Sequence, residues 1–557
     1  MKPSSRVILP PRPTACVAIA VAAAVAWAGT RSILEARAPL GLAACFVAAA
    51  LAAVLAVLLW PRVATDLLHL HGTSFPTPKD ESGSLFTGIL WPMVRAEASE
   101  ELPQHYLAAA AAVGWGVNHQ VYLFGARHVR LVHPADARAL LVKANPPRSL
   151  LTARHFNRFI HPEQFFFLAD PAHDRLRRLV STYLTSSRMQ EAVATCVSGA
   201  LDSTRGGWGS VLDAAAASGA SVDIDDTMMD LTLDVIHNLL FSAPYHGEER
   251  AAARKAVGSF FGDVRYAFVP WPEVFAKQYV ARVQSASQLF MAHLESMAAK
   301  RRCEDAASEA AGGAAVRGNQ PRDLLDVWLA DLKARDGAYG GDLRRMAADA
   351  LAYTAAGFDT TAHTISWTIH ELLDQPIACM RLRDELVKAA PPGAPPTPLK
   401  LADLPFAAAV FKEIQRLHPA APMTARRVLE APLTLPSDGS VIPAGTTVEV
   451  PIIALHLNPD VFPEPTIFRP ERWLSFGAGQ PMAGVPVSPA GRASYMPFAL
   501  GGRGCLGQQT AATEWASVLV ALLGRYSFER VGDRRHVTPK TSTTMRPAGL
   551  RVRLRRL

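Results

Sequence analysis

One cysteine near the C-terminal end of the chain stands in a glycine-rich segment and has the surroundings of a reactive thiol. The segment covers residues 498–507 and reads FALGGRGCLG, with Arg503 just ahead of Cys505. No CxxC partner lies nearby, which argues against a zinc knuckle or a dithiol. Glycines let a backbone approach a flat ligand and adopt positive φ, and backbone N–H groups tune a coordinating sulfur. The pattern predicts an axial thiolate ligand of haem iron, with a surface turn carrying a stray thiol as the alternative.

The surroundings of Cys505 are expected to favour the thiolate over the thiol. Backbone donors, the N-terminus of a following helix and the guanidinium of Arg503 all stabilise negative charge on sulfur. The remaining cysteines have no glycine loop and occur at Cys16, Cys45, Cys196, Cys303 and Cys379. Their spacing gives no disulfide framework, so we expect a reducing compartment for the bulk of the protein.

A second pair of reactive side chains lies in the middle of a predicted long helix. This helix is expected over residues 342–374, and its centre, residues 356–361, reads AGFDTT. Gly357 weakens a helix by about 1 kcal/mol relative to alanine, and Thr360 can bond back to a carbonyl of the preceding turn and open a groove for O₂. Asp359 beside Thr360 is then a proton-delivery pair. The alternative is a packing notch made of small residues.

Two further clusters of charged residues have helical spacing. His173 and Arg177 stand at i and i+4 after Asp-Pro, so both can face one carboxylate; a basic helical surface is the alternative. Arg175 and Arg178 fall off that face and could meet an acidic redox partner.

The second charged cluster is Glu413 with Arg416, at i and i+3. A lone pair of this kind is usually a surface ion pair of little energetic worth. Here the flanking residues 407–411 and Leu417 are apolar, which predicts that the pair is buried. A downstream segment, residues 468–473, reads FRPERW and offers Arg472 as a third member. We interpret this cluster as structural rather than catalytic.

The elements that position these residues are predicted to be mainly helical. Strand-like alternation is limited to residues 128–132, 433–435 and 446–451, with a turn at 438–440. Residues 303–319 are rich in Ala, Gly, Ser and Glu and are expected to form an exposed loop between helices, and residues 391–396 form another. The segments most suited to line a pocket, 147–164 and 260–272, carry no readable motif.

Composition supports one large domain with an apolar N-terminal extension. The chain has 557 residues, 49% of them hydrophobic, and a net charge of +8, which is mild for its size and comes with no nucleic-acid motif. Uncharged apolar runs cover residues 14–30 and 38–60, and the second is long enough to span a bilayer. A cleaved signal peptide is the alternative for the first run. If both runs span, the early Lys and Arg residues place the following domain in the cytosol. We therefore expect a membrane anchor of one or two transmembrane helices over residues 1–62 and a catalytic domain over residues 63–557.

Taken together and in this order, the motifs resemble those of the cytochrome P450 family, the haem-thiolate monooxygenases. The resemblance rests on F-x-x-G-x-R-x-C-x-G at 498–507, A-G-x-D-T-T at 356–361, E-x-x-R at 413–416 and the continuation G-x-x-x-A-x-x-E at 507–514, where Thr510 stands in place of a frequent aromatic residue. It covers the chain from about residue 80 to the end. The fold that it implies is mainly α with small β-sheets.

The resemblance also implies a role for individual residues. Cys505 would ligate the iron of haem b, and Asp359 with Thr360 would deliver protons. Binding of the haem and its propionates would fall to His173, Arg177, Arg427, Phe498, Arg503 and Gly507, although the neighbouring Arg426 leaves the choice of Arg427 open. Glu413, Arg416 and Arg472 would form a charge network behind the cysteine loop.

The activity that the resemblance implies is insertion of one oxygen atom from O₂ into a C–H bond of a lipophilic substrate, such as a sterol, a fatty acid or another lipid. Electrons would come from NADPH through NADPH–cytochrome P450 reductase, with cytochrome b5 as a further candidate donor. The expected location is the endoplasmic reticulum membrane, with the catalytic domain facing the cytosol. Two alternatives are a haem-thiolate isomerase or dehydratase that needs no O₂ and a non-catalytic haem sensor.

Overall fold

Helices make up most of the described chain. The structure is a computed structural model that describes residues 101–123, 126–148, 161, 163–202, 204, 207–243, 277–310, 321–424, 427–474, 489–541 and 544–557. The helices are α1 Leu102–Val113, α2 Pro134–Arg138, α3 Ala172–Leu184, α4 Ser187–Ala200, α5 Trp208–Ser218, α6 Ile224–Phe241, α7 Lys277–Ala310, α8 Leu324–Lys333, α9 Leu343–Leu372, α10 Pro376–Ala389, α11 Pro405–Leu417, α12 Ile452–His456, α13 Pro489–Ser494 and α14 Gln508–Leu523.

The strands are short and form small sheets at the edges of the helical body. They are β1 His119–Leu123, β2 Ala126–Arg130, β3 Ser221–Asp223, β4 Arg427–Val428, β5 Leu433–Thr434, β6 Val441–Ile442, β7 Thr447–Glu449, β8 Tyr526–Val531, β9 Thr538–Thr541, β10 Met545–Ala548 and β11 Arg551–Arg556. The largest sheet has the order β1-β2-β7-β4, in which only the β2–β7 pair is parallel. The others have the orders β3-β11-β8, β10-β9 and β5-β6, and all of their pairs are antiparallel.

The long helix α9 runs through the apolar core, and its limits follow from its sequence. The Asp342 side chain accepts hydrogen bonds from the backbone N–H groups of Arg344 and Arg345 at the start of the helix, an N-cap that satisfies two otherwise unpaired donors. Helix α6 packs along α9, and Thr232 Oγ1 donates to the carbonyl oxygen of Phe358 at 3.0 Å. The predicted helix over residues 342–374 is therefore confirmed.

A separate apolar cluster lies between the β1-β2-β7-β4 sheet and the chain that leads to the cysteine loop. It contains Val129 and Val448 from the sheet and Met496, each at most 1% exposed, with Leu500 packed against them. Burial of this apolar surface stabilises the approach to the loop by removing it from water. The loop therefore rests on a buried apolar support.

The prediction of a loop over residues 303–319 is wrong for residues 303–310. Helix α7 continues through Ala310, and residues 311–320 lie outside the described part of the chain. Alanine and glutamate are good helix formers, and Asp305, 8% exposed, is held by an ion pair to Arg322 at 3.1 Å. The strands predicted at 128–132, 433–435 and 446–451 occur with shifted ends, as β2, β5 and β7. The proline-rich stretch at 391–396 is a loop, as expected.

The predicted membrane anchor lies outside the described residues, as do both of its apolar runs, 14–30 and 38–60. Within the part of the chain that the structure describes, no helix combines the length and the apolar character needed to cross a bilayer.

Candidate haem site

The cysteine loop is a tight turn that leads into helix α14. The backbone N–H of Cys505 donates to the carbonyl oxygen of Phe498 at 2.9 Å, and that of Gly504 donates to Gly501 at 3.0 Å. Gly501 has a φ of +73°, and a Cβ atom there would lie 2.1 Å from the carbonyl oxygen of Leu141. Only glycine fits this close approach. The ring of Phe498 stacks on Phe411 of α11, with 6.3 Å between the ring centroids.

Cys505 is exposed to solvent, although the surrounding protein still desolvates its sulfur in part. Burial raises the pKa of this thiol above its usual value, and the N–H of Gly507 and the charge of Arg177 only partly offset this effect. The expectation that the surroundings alone favour the thiolate is therefore wrong, because desolvation of the charged sulfur outweighs the nearby donors. A metal cation bound to the sulfur would supply the missing stabilisation.

Arg503 does not turn toward the cysteine. Its guanidinium donates to the carbonyl oxygen of Leu168 at 2.5 Å and to Asp170 Oδ1 at 2.9 Å. Arg177 approaches the loop instead, because its NH1 donates to the carbonyl oxygen of Gly504 at 2.8 Å. The cation next to the sulfur is thus Arg177 from helix α3.

Three guanidinium groups lie close together beside the loop, from Arg148, Arg427 and Arg503. Arg148 is bridged to Arg427 through the backbone, and each of the three keeps an Nε that has no hydrogen-bond partner among the described residues. Desolvation and the charge of Arg503 lower the pKa of Arg427 to about 10, and desolvation and Arg427 lower that of Arg148 well below its usual value. Asp170 is the carboxylate paired with this cluster.

His173 lies beside the same cluster and is 3% exposed. Its ring stacks on Phe165 at a centroid distance of 4.8 Å, and its Nδ1 lies 3.3 Å from Asp174 Oδ1. Desolvation, followed by the charge of Arg503, lowers the pKa of His173 to about 4. The imidazole is therefore neutral at physiological pH and can donate one hydrogen bond, but it carries no charge.

These residues fit a haem group with two propionates. Among the described residues, the carboxylates that act on this cluster are Asp170 and Asp174, which leaves an excess of positive charge and unused guanidinium donors that would suit propionates. An accessible thiol on a glycine-rich loop next to that cluster would suit a ligand of the haem iron. Arg427, predicted as a propionate ligand, lies in the cluster, whereas Arg426 lies outside the described residues.

The two residues of the predicted proton-delivery pair, Asp359 and Thr360, make contacts on different sides of helix α9. Thr360 is half-buried, and its Oγ1 donates to the carbonyl oxygen of Ala356 at 2.7 Å, which is the predicted back-bond. Helix α9 nevertheless continues unbroken, so the expected opening does not occur. Asp359 is 5% exposed and accepts a hydrogen bond from Thr544 Oγ1 at 2.5 Å.

Gly357 has the packing role that the sequence offered as the alternative reading of its motif. A Cβ atom at this position would lie 2.6 Å from the Cδ1 and Cγ1 atoms of Ile236 on helix α6. The glycine therefore lets the two helices approach closely, which is the small-residue notch weighed as the alternative to an O₂ groove.

Glu413 joins the predicted charge network in the interior. Its carboxylate accepts from Arg416 at 2.8 and 3.0 Å and from Arg472 Nε at 3.0 Å. The indole N–H of Trp473 and the backbone N–H of Arg469 also donate to it, at 2.8 and 3.0 Å. The Glu413 and Arg416 side chains are fully buried and that of Arg472 is 2% exposed.

Several residues at the site carried no signal in the sequence. Arg148 follows two prolines in a segment without a motif. Asp170 carried no signal beyond its place before a predicted helix. Thr544 lies far along the chain from Asp359 and is brought to it by the β10-β9 hairpin. Such long-range contacts are set by tertiary packing, so spacing could not reveal them. The other predicted pocket segments, 149–160 and 260–272, lie outside the described residues.

Comparisons with known proteins agree with the resemblance. The family model for cytochrome P450 matches residues 102–553. A Fusarium proliferatum protein, cytochrome P450 monooxygenase FUP2, is 27% identical over 58% of this chain and 61% of its own length. Cytochrome P450 4A24 of Sus scrofa is 31% identical over 43% of this chain and 45% of its own length. The matched regions thus span less than two thirds of these relatives.

Solved structures share the fold. A zebrafish cytochrome P450 with progesterone covers 82% of this chain and 99% of its own, with a TM-score of 0.64 and 22% identity. A second zebrafish structure, with abiraterone, gives a TM-score of 0.63 and 21% identity. The mainly helical fold with small sheets is therefore confirmed. With a family model that spans most of the sequence, the chain belongs to the cytochrome P450 family, the haem-thiolate monooxygenases.

Proposed function

We propose that this protein inserts one oxygen atom from O₂ into a C–H bond of a lipophilic small molecule, with electrons that come from NADPH through a flavoprotein reductase. The observation that carries the proposal is the accessible Cys505 thiol beside the three guanidinium groups of Arg148, Arg427 and Arg503. These residues would supply a sulfur ligand for the iron and counter-charges for two propionates. When bound, haem supplies the redox chemistry of O₂ activation, which no amino-acid side chain provides.

The chain's own residues would hold the group and handle protons. Cys505 would ligate the iron, with the charge of Arg177 close to the sulfur. Thr360 presents a hydroxyl on the half-buried face of α9, and Asp359 presents a carboxylate on its buried face. We assign these two residues to proton delivery, because oxygen reduction consumes protons that apolar walls cannot supply.

The intact pair of Asp359 and Thr360 favours a monooxygenase over an isomerase or dehydratase. Those reactions need no external electrons and no proton path to reduced oxygen. A haem sensor would bind the group and lack turnover, so the assay below separates it from an enzyme.

We propose a substrate of steroid or fatty-acid type. One relative, 30% identical over 43% of this chain, is named taurochenodeoxycholic 6 alpha-hydroxylase, so its name describes a steroid acid as substrate. The progesterone in the zebrafish structure is also a steroid. A lipophilic substrate agrees with an enzyme that residues 1–62 attach to a membrane.

We further propose that residues 1–62 anchor the protein to the endoplasmic reticulum, with the domain over residues 63–557 in the cytosol. Arg175 and Arg178 are exposed on helix α3 and could meet an acidic face of a reductase or of cytochrome b5. Deletion of residues 1–62 should leave a folded haem protein that is released from membranes. If the shortened protein fractionates with membranes just as the full chain does, attachment resides elsewhere.

The proposed function is tested by reconstitution of the full-length haem protein with NADPH–cytochrome P450 reductase. Progesterone and lauric acid serve as probes, and products are measured by mass spectrometry with ¹⁸O₂. We expect a product that carries one ¹⁸O atom and depends on NADPH. A haem protein that turns over neither probe, yet converts a hydroperoxide without O₂, would support the isomerase or dehydratase class instead.

A further inference from the structure

The backbone that leads into the cysteine loop is held by a histidine from another element. His456 is the last residue of helix α12, and its Nε2 atom accepts a hydrogen bond from the backbone N–H of Met496 at 3.0 Å. His456 is 0% exposed and Met496 is 1% exposed, so solvent does not reach this contact. A buried N–H group that loses its acceptor is costly. The position of Met496 therefore depends on the imidazole.

Two backbone hydrogen bonds carry the position of Met496 on to Cys505. The carbonyl oxygen of Met496 accepts from the N–H of Ala499 at 3.0 Å, which closes a turn around Phe498. The carbonyl oxygen of Phe498 then accepts from the N–H of Cys505 at 2.9 Å. Ala499 has a φ of +54°, a left-handed conformation that is strained for a residue other than glycine and persists only where the surroundings impose it. The turn therefore needs support where it begins.

The buried charge network around Glu413 holds His456 in turn. Tyr495 stacks on the imidazole with 5.4 Å between the ring centroids, and Trp473 packs against Tyr495 at 4.7 Å. The backbone carbonyl of His456 accepts from Arg416 NH1 at 3.1 Å. Both Arg416 and Trp473 donate to the Glu413 carboxylate. His456 therefore connects the charge network to the backbone of the cysteine loop.

The hydrogen bond to Met496 also sets the tautomer of the imidazole. Because Nε2 accepts from an N–H group, it carries a lone pair, and the hydrogen of the neutral ring lies on Nδ1. This Nδ1 atom faces the backbone of Gln415 and Arg416, although it makes no hydrogen bond of normal geometry among the described residues. Burial, followed by the charge of Arg416, lowers the pKa of His456 to about 3. The ring is therefore neutral at physiological pH and keeps its acceptor.

We propose that His456 is a positioning residue for the iron ligand: its Nε2 atom fixes Met496, and through the turn at Phe498 it fixes the carbonyl oxygen that holds the N–H of Cys505. The imidazole does not take part in the chemistry. Its support matters because burial raises the pKa of the Cys505 thiol, so a sulfur that shifts away from the metal regains its proton. This inference rests on the proposed role of Cys505 as iron ligand and needs no particular substrate.

Four variants of the full-length haem protein separate the acceptor from the bulk of the ring. His456→Phe keeps an aromatic ring and has no acceptor. His456→Gln places its Oε1 atom near the position of Nε2, whereas the side chain of His456→Asn is one carbon too short to reach the N–H of Met496. The matched control is His418→Phe, because His418 stacks on Trp367 at 3.8 Å and bonds to Glu371 at 2.8 Å, and both partners lie on helix α9.

The first measurement is amide hydrogen exchange, which reports on local opening of the backbone. We expect the amides of Met496 and Cys505 to exchange roughly 10-fold faster in His456→Phe than in the wild type. This factor corresponds to about 1.4 kcal/mol, which lies within the cost of a buried donor without an acceptor. In His456→Gln and His418→Phe these two amides should exchange as in the wild type. Unchanged exchange in His456→Phe would overturn the proposal.

The second measurement is the Soret band of the reduced, carbon monoxide-bound protein, followed across the pH range. We expect His456→Phe and His456→Asn to lose the red-shifted, thiolate-type position at a higher pH than the wild type, because a less firmly held sulfur is protonated more readily. The His456→Gln and His418→Phe proteins should keep the wild-type profile. Identical profiles in His456→Asn and His456→Gln would contradict the proposed positioning role.

Two outcomes need separate interpretation. If His456→Phe does not fold or holds no haem, the comparison of His456→Asn with His456→Gln decides, since these side chains differ only in their reach toward Met496. If the wild-type protein itself has no thiolate-type band, the proposed role of Cys505 fails. Hydrogen exchange then still shows whether His456 holds the backbone, so the two failures can be told apart.

Discussion

Removal of the Glu413 carboxylate should unfold the domain rather than slow its chemistry. This single group accepts five hydrogen bonds, two from Arg416 and one each from Arg469, Arg472 and Trp473. In Glu413→Ala two buried guanidinium groups lose their counter-charge, which costs about 3–5 kcal/mol for a broken buried pair. The unpaired indole N–H adds about 1–3 kcal/mol. The sum approaches the whole stability of a typical domain, about 5–15 kcal/mol.

Hydrogen bonds to nearby carbonyl groups reduce this loss of stability but do not cancel it. Arg416 also donates to the carbonyl oxygens of His456 and Pro465, at 3.1 and 2.6 Å. A carbonyl dipole accepts a hydrogen bond from the guanidinium group, but it does not neutralise the full positive charge of that group. Glu413→Gln keeps one strong acceptor and should therefore fall between the wild type and Glu413→Ala.

The assay is urea unfolding of the purified protein combined with its haem content. Glu471→Ala is the control in the same segment, because Glu471 is partly exposed and lies 3.9 Å from Arg381; a surface pair of this kind is worth about 1 kcal/mol or less. We expect poor folding and low haem content in Glu413→Ala alone. A haem-replete Glu413→Ala protein as stable as Glu471→Ala would refute the reasoning from buried charge.

Three further predictions concern the site and its pH response. Cys505→Ala should lose the red-shifted Soret band of the reduced, carbon monoxide-bound protein that is typical of a thiolate ligand; a retained band would place the ligand at another residue. Thr360→Ala should keep its haem and divert reducing equivalents to hydrogen peroxide, measured as peroxide per NADPH, and an unchanged ratio would exclude this hydroxyl from proton delivery. Burial raises the pKa of Glu514 from 4.5 to about 8, so the folded state keeps a proton that the unfolded chain releases, and stability should fall as pH rises between these values. At about 1.4 kcal/mol per pKa unit the loss amounts to several kcal/mol, and Glu514→Gln should remove this slope from urea unfolding measured across the pH range; an equal slope in both proteins would contradict the assignment.

The sequence predicted best those features that follow from local rules. The start of α9 at Asp342 follows from side-chain capping, and its end before Pro376 follows from the missing N–H of proline. The burial of Glu413 with Arg416 followed from apolar neighbours on the same helix face. The helical half of residues 303–319 was missed because a polar, small-residue composition suits both an exposed loop and a solvent-facing helix. In the structure, the ion pair of Asp305 with Arg322 holds the helical half against the chain that follows the undescribed residues 311–320.

The site was predictable in its residue types and less so in its contacts. Cys505, Arg427 and His173 lie around one cluster, but their electrostatics depend on burial, which a motif does not encode. Desolvation raises the pKa of the Cys505 thiol, contrary to the expectation from local donors. Arg148 was invisible in the sequence because Arg427, with which it pairs through the backbone, lies far away along the chain. Contacts of this kind arise only when the helices pack.

The absence of a side chain at Gly357 allows helices α6 and α9 to pack closely beside Asp359 and Thr360. A Cβ atom there would lie 2.6 Å from the Cδ1 and Cγ1 atoms of Ile236, so the Ile236 side chain of helix α6 occupies the space that a side chain at position 357 would need. Asp225 on α6 and His363 on α9 lie 3.5 Å apart across the same helix contact. An alanine at position 357 would therefore push Ile236 and helix α6 away from α9, and would widen the contact next to Asp359 and Thr360.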